Sequence, residues 1–304
     1  MDIRKGNKNS KLSKIMTGLA LVAAISALSA CKRTSDEAGL GLQASQLATL
    51  NNVVDARDEA TRARDQYRNP AQTIAFFQIK PGMSVAEALP GGGWYSNILA
   101  NYIGSDGELH GINYVDDMWA RFGFFSPERI EERIASTKAF PQTVAKYTDN
   151  GIKSSGFTFD TVPDELVGSL DRVVFIRALH NLNRFEAQAN TMTNALKAAH
   201  TLLKEDGMVG VVQHRAPEAN SDEWSDGSRG YLKQSSLIKT FEDAGFTLVA
   251  SSEINANPKD QPTENDIVWR LPPSLNGARD DEAKRAAMEA IGESDRMTLL
   301  FKKS

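Results

Sequence analysis

From residue 84 onward the chain alternates short apolar runs with longer stretches in which apolar residues recur every three or four positions. The first pattern belongs to strands buried on both faces and the second to amphipathic helices, so the alternation predicts a parallel sheet flanked by helices. Strands are expected at Ser84 to Leu89, Glu108 to Tyr114, Asp171 to Ala178, Gly207 to His214, Phe246 to Glu253 and Met297 to Lys302. A weaker signal, Thr143 to Tyr147, stands where a third strand should fall. Helices are expected at Trp94 to Tyr102, across Asp116 to Ala139 with a break at Ser126-Pro127, and at Arg184 to Leu203, Ser235 to Ala244 and Asp280 to Ile291. Upstream, the charges crowded between Asp55 and Arg68 predict an exposed helix. Pro70 opens another, whose buried face holds Thr73, Ile74, Phe76 and Phe77. The order of elements predicts a doubly wound sheet, whose ligands sit at the carboxyl ends of the strands.

The first thirty residues follow a different pattern. Arg4, Lys5, Lys8, Lys11 and Lys14 precede an apolar run from Ile15 to Leu28, too short for the roughly 20 residues that span a bilayer. Leu28-Ser29-Ala30-Cys31 then looks like the lipobox of bacterial lipoprotein precursors, in which the cysteine becomes the acylated N-terminus. Cys31 is the single cysteine of the chain, so no internal disulfide competes for it. The organisation expected is a signal peptide over 1–30, a lipidated Ser/Ala/Gly/Gln-rich tether over 31–54 and one domain over 55–304. Such a protein would be anchored in the cell envelope facing the periplasm, with Lys32 favouring the outer membrane.

Composition is that of a globular protein, 304 residues with 41% hydrophobic and 24% charged. Five of the 35 basic residues and one of the 39 acidic ones fall in the N-terminal signal, leaving 30 against 38, a net charge of about −8. A body this acidic disfavours nucleic acid as a partner, since binding it means neutralising phosphates. A small molecule is the expected ligand.

Candidate chemistry gathers at the strand ends. Pro90-Gly91-Gly92-Gly93 lies between the first strand and its helix, where backbone amides can approach an anionic ligand group closely. Glu87 interrupts the strand before it, and a carboxylate among apolar residues needs a polar partner, for which a loop N–H is the simplest candidate. His180 and Asn181 follow the fourth strand, and His214 and Arg215 follow the fifth; in this topology those ends adjoin, so two imidazoles can face one pocket. Asn255, Asn257, Lys259 and Asp260 could cover the same mouth. No HxH or HExxH spacing points to a metal, and no G-x-S-x-G elbow points to a serine nucleophile.

The strand, acid and glycine loop together are similar to the first motif of class I S-adenosylmethionine (SAM)-dependent methyltransferases. Arg68-Asn69-Pro70, Lys80-Pro81-Gly82-Met83, Pro90 to Tyr95, Arg177 to Asn181, His214-Arg215-Ala216, Ser252 to Asp260 and Gly292 to Arg296 resemble an exported, methyltransferase-like subgroup. The resemblance implies a Rossmann-like, mostly parallel sheet with the last strand antiparallel. It also implies SAM as cofactor, held by Glu87, Pro90, Gly91, Gly92, Gly93, Trp94, Asn113 and Asp160. His180, His214, Arg215 and Asn181 would be the catalytic set. Two departures stand out: Leu89 and Pro90 occupy the place of the first loop glycine, and Asn113 the place of the acid that usually holds the ribose. Two functions therefore remain open, a methyltransferase acting on a small acceptor and an inactive relative that binds an envelope ligand.

Overall fold

A computed structural model describes residues 41–304; the signal segment, Cys31 and the first part of the expected tether lie outside the described residues. Eight strands form one sheet: β1 (Ser84–Ala88), β2 (Glu108–Asn113), β3 (Lys153–Thr158), β4 (Leu170–Ile176), β5 (Leu203–Ala216), β6 (Leu232–Lys233), β7 (Phe246–Ser252) and β8 (Arg296–Lys303). Their order is β3-β2-β1-β4-β5-β8-β7, with the short β6 pairing the end of β5. All the pairings among β1 to β6 are parallel, and β8 runs antiparallel to both β5 and β7. The fold is the Rossmann-like α/β sheet of the methyltransferase type that the sequence predicts.

The strand residues divide between two cores by simple alternation. Ala86, Ala88, Val173, Phe175, Val211, Leu299 and Phe301 enter one face, packed under the helix Thr191–Leu202 and the helix Gln234–Asp243. Val85, Val174, Val212 and Leu300 enter the other, under the helix Trp94–Ile103. Burial on both faces explains why these strands read as continuous apolar runs.

Three expectations need correction. Thr143 to Tyr147 is not a strand: Pro141 sits in the first turn of the helix Phe140–Val144, and a turn follows. The third strand is Lys153–Thr158, a polar edge strand whose first residues are exposed or half-buried, so no apolar pattern marks it. The last part of the expected tether, Ala44–Asp55, is a helix that buries Leu50 and Val54 against Ile74 and Ile98. And the charged stretch Asp55 to Arg68 is not uniformly exposed. Two short helices, Glu59–Arg62 and Asp65–Arg68, bring Arg57 and Arg68 into the protein, where they are 7% and 2% exposed. Among the described residues no helix is long and apolar enough to cross a membrane.

Candidate active site

Two neighbouring strands end in the same unusual way. Leu89, after β1, donates its N–H to Ile112 at 2.7 Å and then turns left-handed, with φ +55°. Arg177, after β4, donates to Val212 at 2.6 Å and turns left-handed, with φ +60°. For a residue with a Cβ this conformation is unfavourable by about 1–2 kcal/mol, and such outliers concentrate at functional sites. The turn after β1 does require the conformation that a glycine would adopt freely, and the protein accepts the strain of leucine instead.

The loop then passes through Gly91 (φ +57°) to Gly93 (φ +79°), which opens the helix Trp94–Ile103. The Tyr147 hydroxyl donates to the Gly92 carbonyl at 2.7 Å, and a Cβ on Gly93 would lie 2.8 Å from the Tyr147 ring. Gly92 has nothing within 4 Å of its Cβ position, and no side chain caps the helix. The first-turn amides therefore remain available to a ligand.

The loop lies between two cavities. The first, about 570 Å³, extends from Gly91 past Asn113 to Trp119, Phe122 and Phe125, with Arg133 along one wall. Trp119 Nε1 and Arg133 Nε are buried there without a hydrogen-bond partner. The second, about 630 Å³, runs from Gly91 and Gly92 to His180, His214, Trp94 and Trp269. Pro90, Arg177 and Asn181 line both.

His180 and His214 are brought together, ring centroids 5.4 Å apart. His180 is 5% exposed, with Nδ1 3.4 Å from the Gln213 amide, and His214 Nδ1 lies 2.6 Å from Ser294 Oγ. No described residue hydrogen-bonds to either Nε2. Burial, partly offset by the Gln213 hydrogen bond, lowers the His180 pKa to about 4; burial, the facing His180 and nearby arginines hold His214 well below its ordinary value. Both rings are neutral at pH 7.

Other predicted residues lie elsewhere. Arg215 follows His214 on β5 and so points to the opposite face of the sheet. There it makes paired bonds to Glu253 (2.9 and 2.7 Å) and Asp295 (2.8 and 3.1 Å), away from the imidazoles. Asp160 is exposed in the turn after β3, bonded to Thr158, and lines neither cavity. Glu87 is also outside both cavities. Its partner is the Ser96 hydroxyl at 2.6 Å on the following helix, not a loop N–H. Burial raises its pKa to about 7, with Ser96 and Arg177 opposing. Asn113 does line the first cavity, its Oδ1 accepting from the Tyr114 N–H at 2.9 Å. The loop through Asn255 to Asp260 does not cover the mouth. Asn255 ties Thr73 to Thr298, Asn257 holds the Ile291 and Glu293 carbonyls, and Asp260 accepts from the Asp295 N–H. The loop braces the segment that carries Glu293.

That segment brings in residues absent from the predicted site. Glu293, 4% exposed, has four arginines around its carboxylate: Arg64 at 2.5 Å, Arg296 at 3.2 Å, Arg68 at 3.5 Å and Arg177 at 4.0 Å. Burial alone would raise the Glu293 pKa, but the arginine charges take it below its ordinary value. Burial and mutual repulsion lower Arg68 to about 9 and Arg177 to about 10, so both remain cations at pH 7. Arg68, Arg177, Glu293 and Arg296 all fall in the motif segments noted in the sequence; that recurrence was the available signal. Among the described residues no group of three or more His, Cys, Asp or Glu could hold a metal ion.

No family model matches the chain, and no curated protein matches it in sequence. Solved structures match at low identity. The [4+2]-cyclase SpnF is 15% identical, covering 85% of this chain and 93% of its own, with a TM-score of 0.50. A SAM-dependent methyltransferase from Aquifex aeolicus is 11% identical over 84% of this chain and 98% of its own, with a TM-score of 0.48. The Burkholderia thailandensis 1,6-didemethyltoxoflavin-N1-methyltransferase, solved with S-adenosylhomocysteine, is 12% identical over 86% and 87%, with a TM-score of 0.44. At these identities the likeness describes the fold and leaves the chemistry to the site.

Proposed function

We propose that this protein is a SAM-dependent methyltransferase of the cell envelope acting on a small acceptor. The observation that carries this reading is the glycine loop with its uncapped helix, open to a cavity on either side at the carboxyl ends of β1 and β4. The loop and the first cavity offer groups that match the cofactor's carboxylate, ribose and adenine. Amides from Gly91 to Trp94 would hold its carboxylate, Asn113 its ribose, and the unpartnered N–H groups of Trp119 and Arg133 the nitrogens of its adenine. When bound, SAM supplies a methyl group made electrophilic by the sulfonium. The chain's own part is to hold an acceptor in the second cavity and to remove its proton. His180 and His214 are neutral, and each leaves Nε2 free for that role.

A second reading, a binding protein without transfer, is favoured by the walls of the cavities. Asn113 lacks the charge-assisted bond a carboxylate would give the ribose. Arginines outnumber carboxylates around both cavities, which disfavours a sulfonium cation. Calorimetry of the protein with SAM and S-adenosylhomocysteine separates the two. Binding that disappears in Gly92→Asp supports the methyltransferase; binding of neither tighter than about 1 mM, roughly −4 kcal/mol, leaves it without a cofactor.

The envelope location rests on the export signal and on Cys31 as the lipidation site, with the lipid as the contact to the membrane. Palmitate labelling should be lost in Cys31→Ser; labelling that persists would remove the anchor from the proposal.

A further inference from the structure

Of the three arginines lining the second cavity, Arg64 is hydrogen-bonded to Glu293 at 2.6 Å, but Arg68 and Arg177 are not arranged as arginines with a structural task. Arg172, Arg296 and Arg215 each commit guanidinium donors to several neighbouring oxygens: Arg172 to the Phe77, Gln78 and Asp171 carbonyls, Arg296 to the Ser294 and Tyr67 carbonyls, and Arg215 to two carboxylates. The guanidinium groups of Arg68 and Arg177 donate no hydrogen bond to any described residue. Each meets Glu293 only at ion-pair distance, 3.5 and 4.0 Å, and the Nε of each is buried without a hydrogen-bond partner. Arg68 is 2% exposed, its guanidinium stacked 4.4 Å from the centre of the Trp94 ring. Both share Glu293 with Arg64 and Arg296, so four positive charges face one negative charge. Glu293 is also the one carboxylate among the described residues lining this cavity.

Buried guanidinium donors without acceptors, in a cavity with an excess of positive charge, are complementary to an oxyanion. The surroundings agree. The rest of the protein is acidic, so this cluster is not part of a general basic surface. The left-handed turn at Arg177 sets its side chain where the two cavities meet. The facing imidazoles are neutral and present free Nε2 atoms, and Trp94 and Trp269 add flat apolar walls.

We propose that the cavity bounded by Arg68, Arg177, His180 and His214 binds the oxyanion group, carboxylate or phosphate, of a small organic molecule. Identifying that molecule as the methyl acceptor rests on the function proposed above; the anion site itself does not. A bound anion beside the imidazoles favours their protonated forms, so binding raises the pKa of His180 from its low starting point.

The test uses the full chain and three probes of similar shape: benzoate, phenyl phosphate and the uncharged benzyl alcohol. Calorimetry should show binding of at least one anion, the stronger of the two identifying the oxyanion class, and at least about tenfold weaker binding of benzyl alcohol. Arg177→Gln should weaken the anion about tenfold, and Arg177→Lys should restore part of the loss. Arg177 serves better than Arg68 because a quarter of its side chain is exposed, 26% against 2%, so its replacement is less disruptive to folding. Glu293→Gln should act in the opposite direction: with the carboxylate charge gone, the anion binds more tightly and raises the melting temperature more than in the parent. Histidine NMR should show the His180 titration moving upward with the anion bound. Equal affinity for benzoate and benzyl alcohol, or an Arg177→Gln protein that binds the anions as the parent does, would overturn the site. SAM calorimetry is read separately, so either proposal can fail while the other stands.

Discussion

His180 and His214 belong to different elements, the first turn of a helix after β4 and the end of β5, yet their rings lie 5.4 Å apart. Parallel neighbours place successive strand ends side by side, and that is enough to pair them. Because both pKa values are depressed, the pair has a consequence for acid stability. Above about pH 6.5 both folded and unfolded chains hold neutral imidazoles. As pH falls from 6.5 towards 4 the unfolded chain takes up protons that folded His180 refuses, so stability declines across that window. Urea midpoints should change between pH 7 and pH 4.5 in a more destabilising sense in the parent than in His180→Gln, the opposing contribution of Glu87 being common to both. A His180 ring that titrates near 6.5 by NMR would contradict this.

Glu87 works in the opposite sense. Its folded pKa is raised from 4.5 to about 7, so its contribution is present below pH 4.5 and is lost as pH rises through 7, when a carboxylate must persist among apolar neighbours. Glu87→Gln keeps an acceptor for the Ser96 hydroxyl. It should stabilise the protein at pH 8 by roughly 2–3 kcal/mol and leave it unchanged at pH 4. Denaturant unfolding at the two pH values measures the difference, and equal effects at both would refute the assignment.

The two loop glycines should separate folding from binding. Gly93→Ala forces a Cβ against the Tyr147 ring in a left-handed conformation, so a loss of about 1–3 kcal/mol is expected. Gly92→Ala meets open space and should leave the melting temperature within a degree or so of the parent, while weakening any ligand held over the loop. Thermal melts and calorimetry on both variants make the comparison; a strongly destabilised Gly92→Ala would show that the loop is packed rather than open.

Arg215 should prove to be a clamp. Its pKa is raised by hydrogen bonds to Glu253 and Asp295, of which Glu253 is largely exposed. Allowing for solvent screening, Arg215→Ala should lower stability by about 1–2 kcal/mol without altering ligand affinity. Lost binding with unchanged stability would return this residue to the site.

Much of the sheet could be read from the chain because buried parallel strands concentrate apolar residues. β3 could not, since Lys153-Ser154-Ser155-Gly156 occupies an edge and carries no such signal. Within the site, the glycine loop and the histidines could be placed because they lie directly at strand ends. The direction of Arg215 was decided by a single-residue alternation that only the register reveals. Arg68 looked like one member of an exposed charged helix; it is buried because the short helix Asp65–Arg68 ends at left-handed Asn69, with the next helix starting at Pro70. Its meeting with Glu293 is a contact between opposite parts of the chain, which no local pattern encodes.

The place of β8 in the sheet bears on when this cavity can exist. Among the described residues β8 follows every other strand, yet it lies between β5 and β7, and β7 pairs with no other described strand. Glu293 and Arg296 stand at its threshold. Until this stretch is in place, Arg64, Arg68 and Arg177 lack the carboxylate they gather around. The charged pocket is thus complete only where β8 has taken its place between β5 and β7, so the sheet and the ligand site share one closing piece.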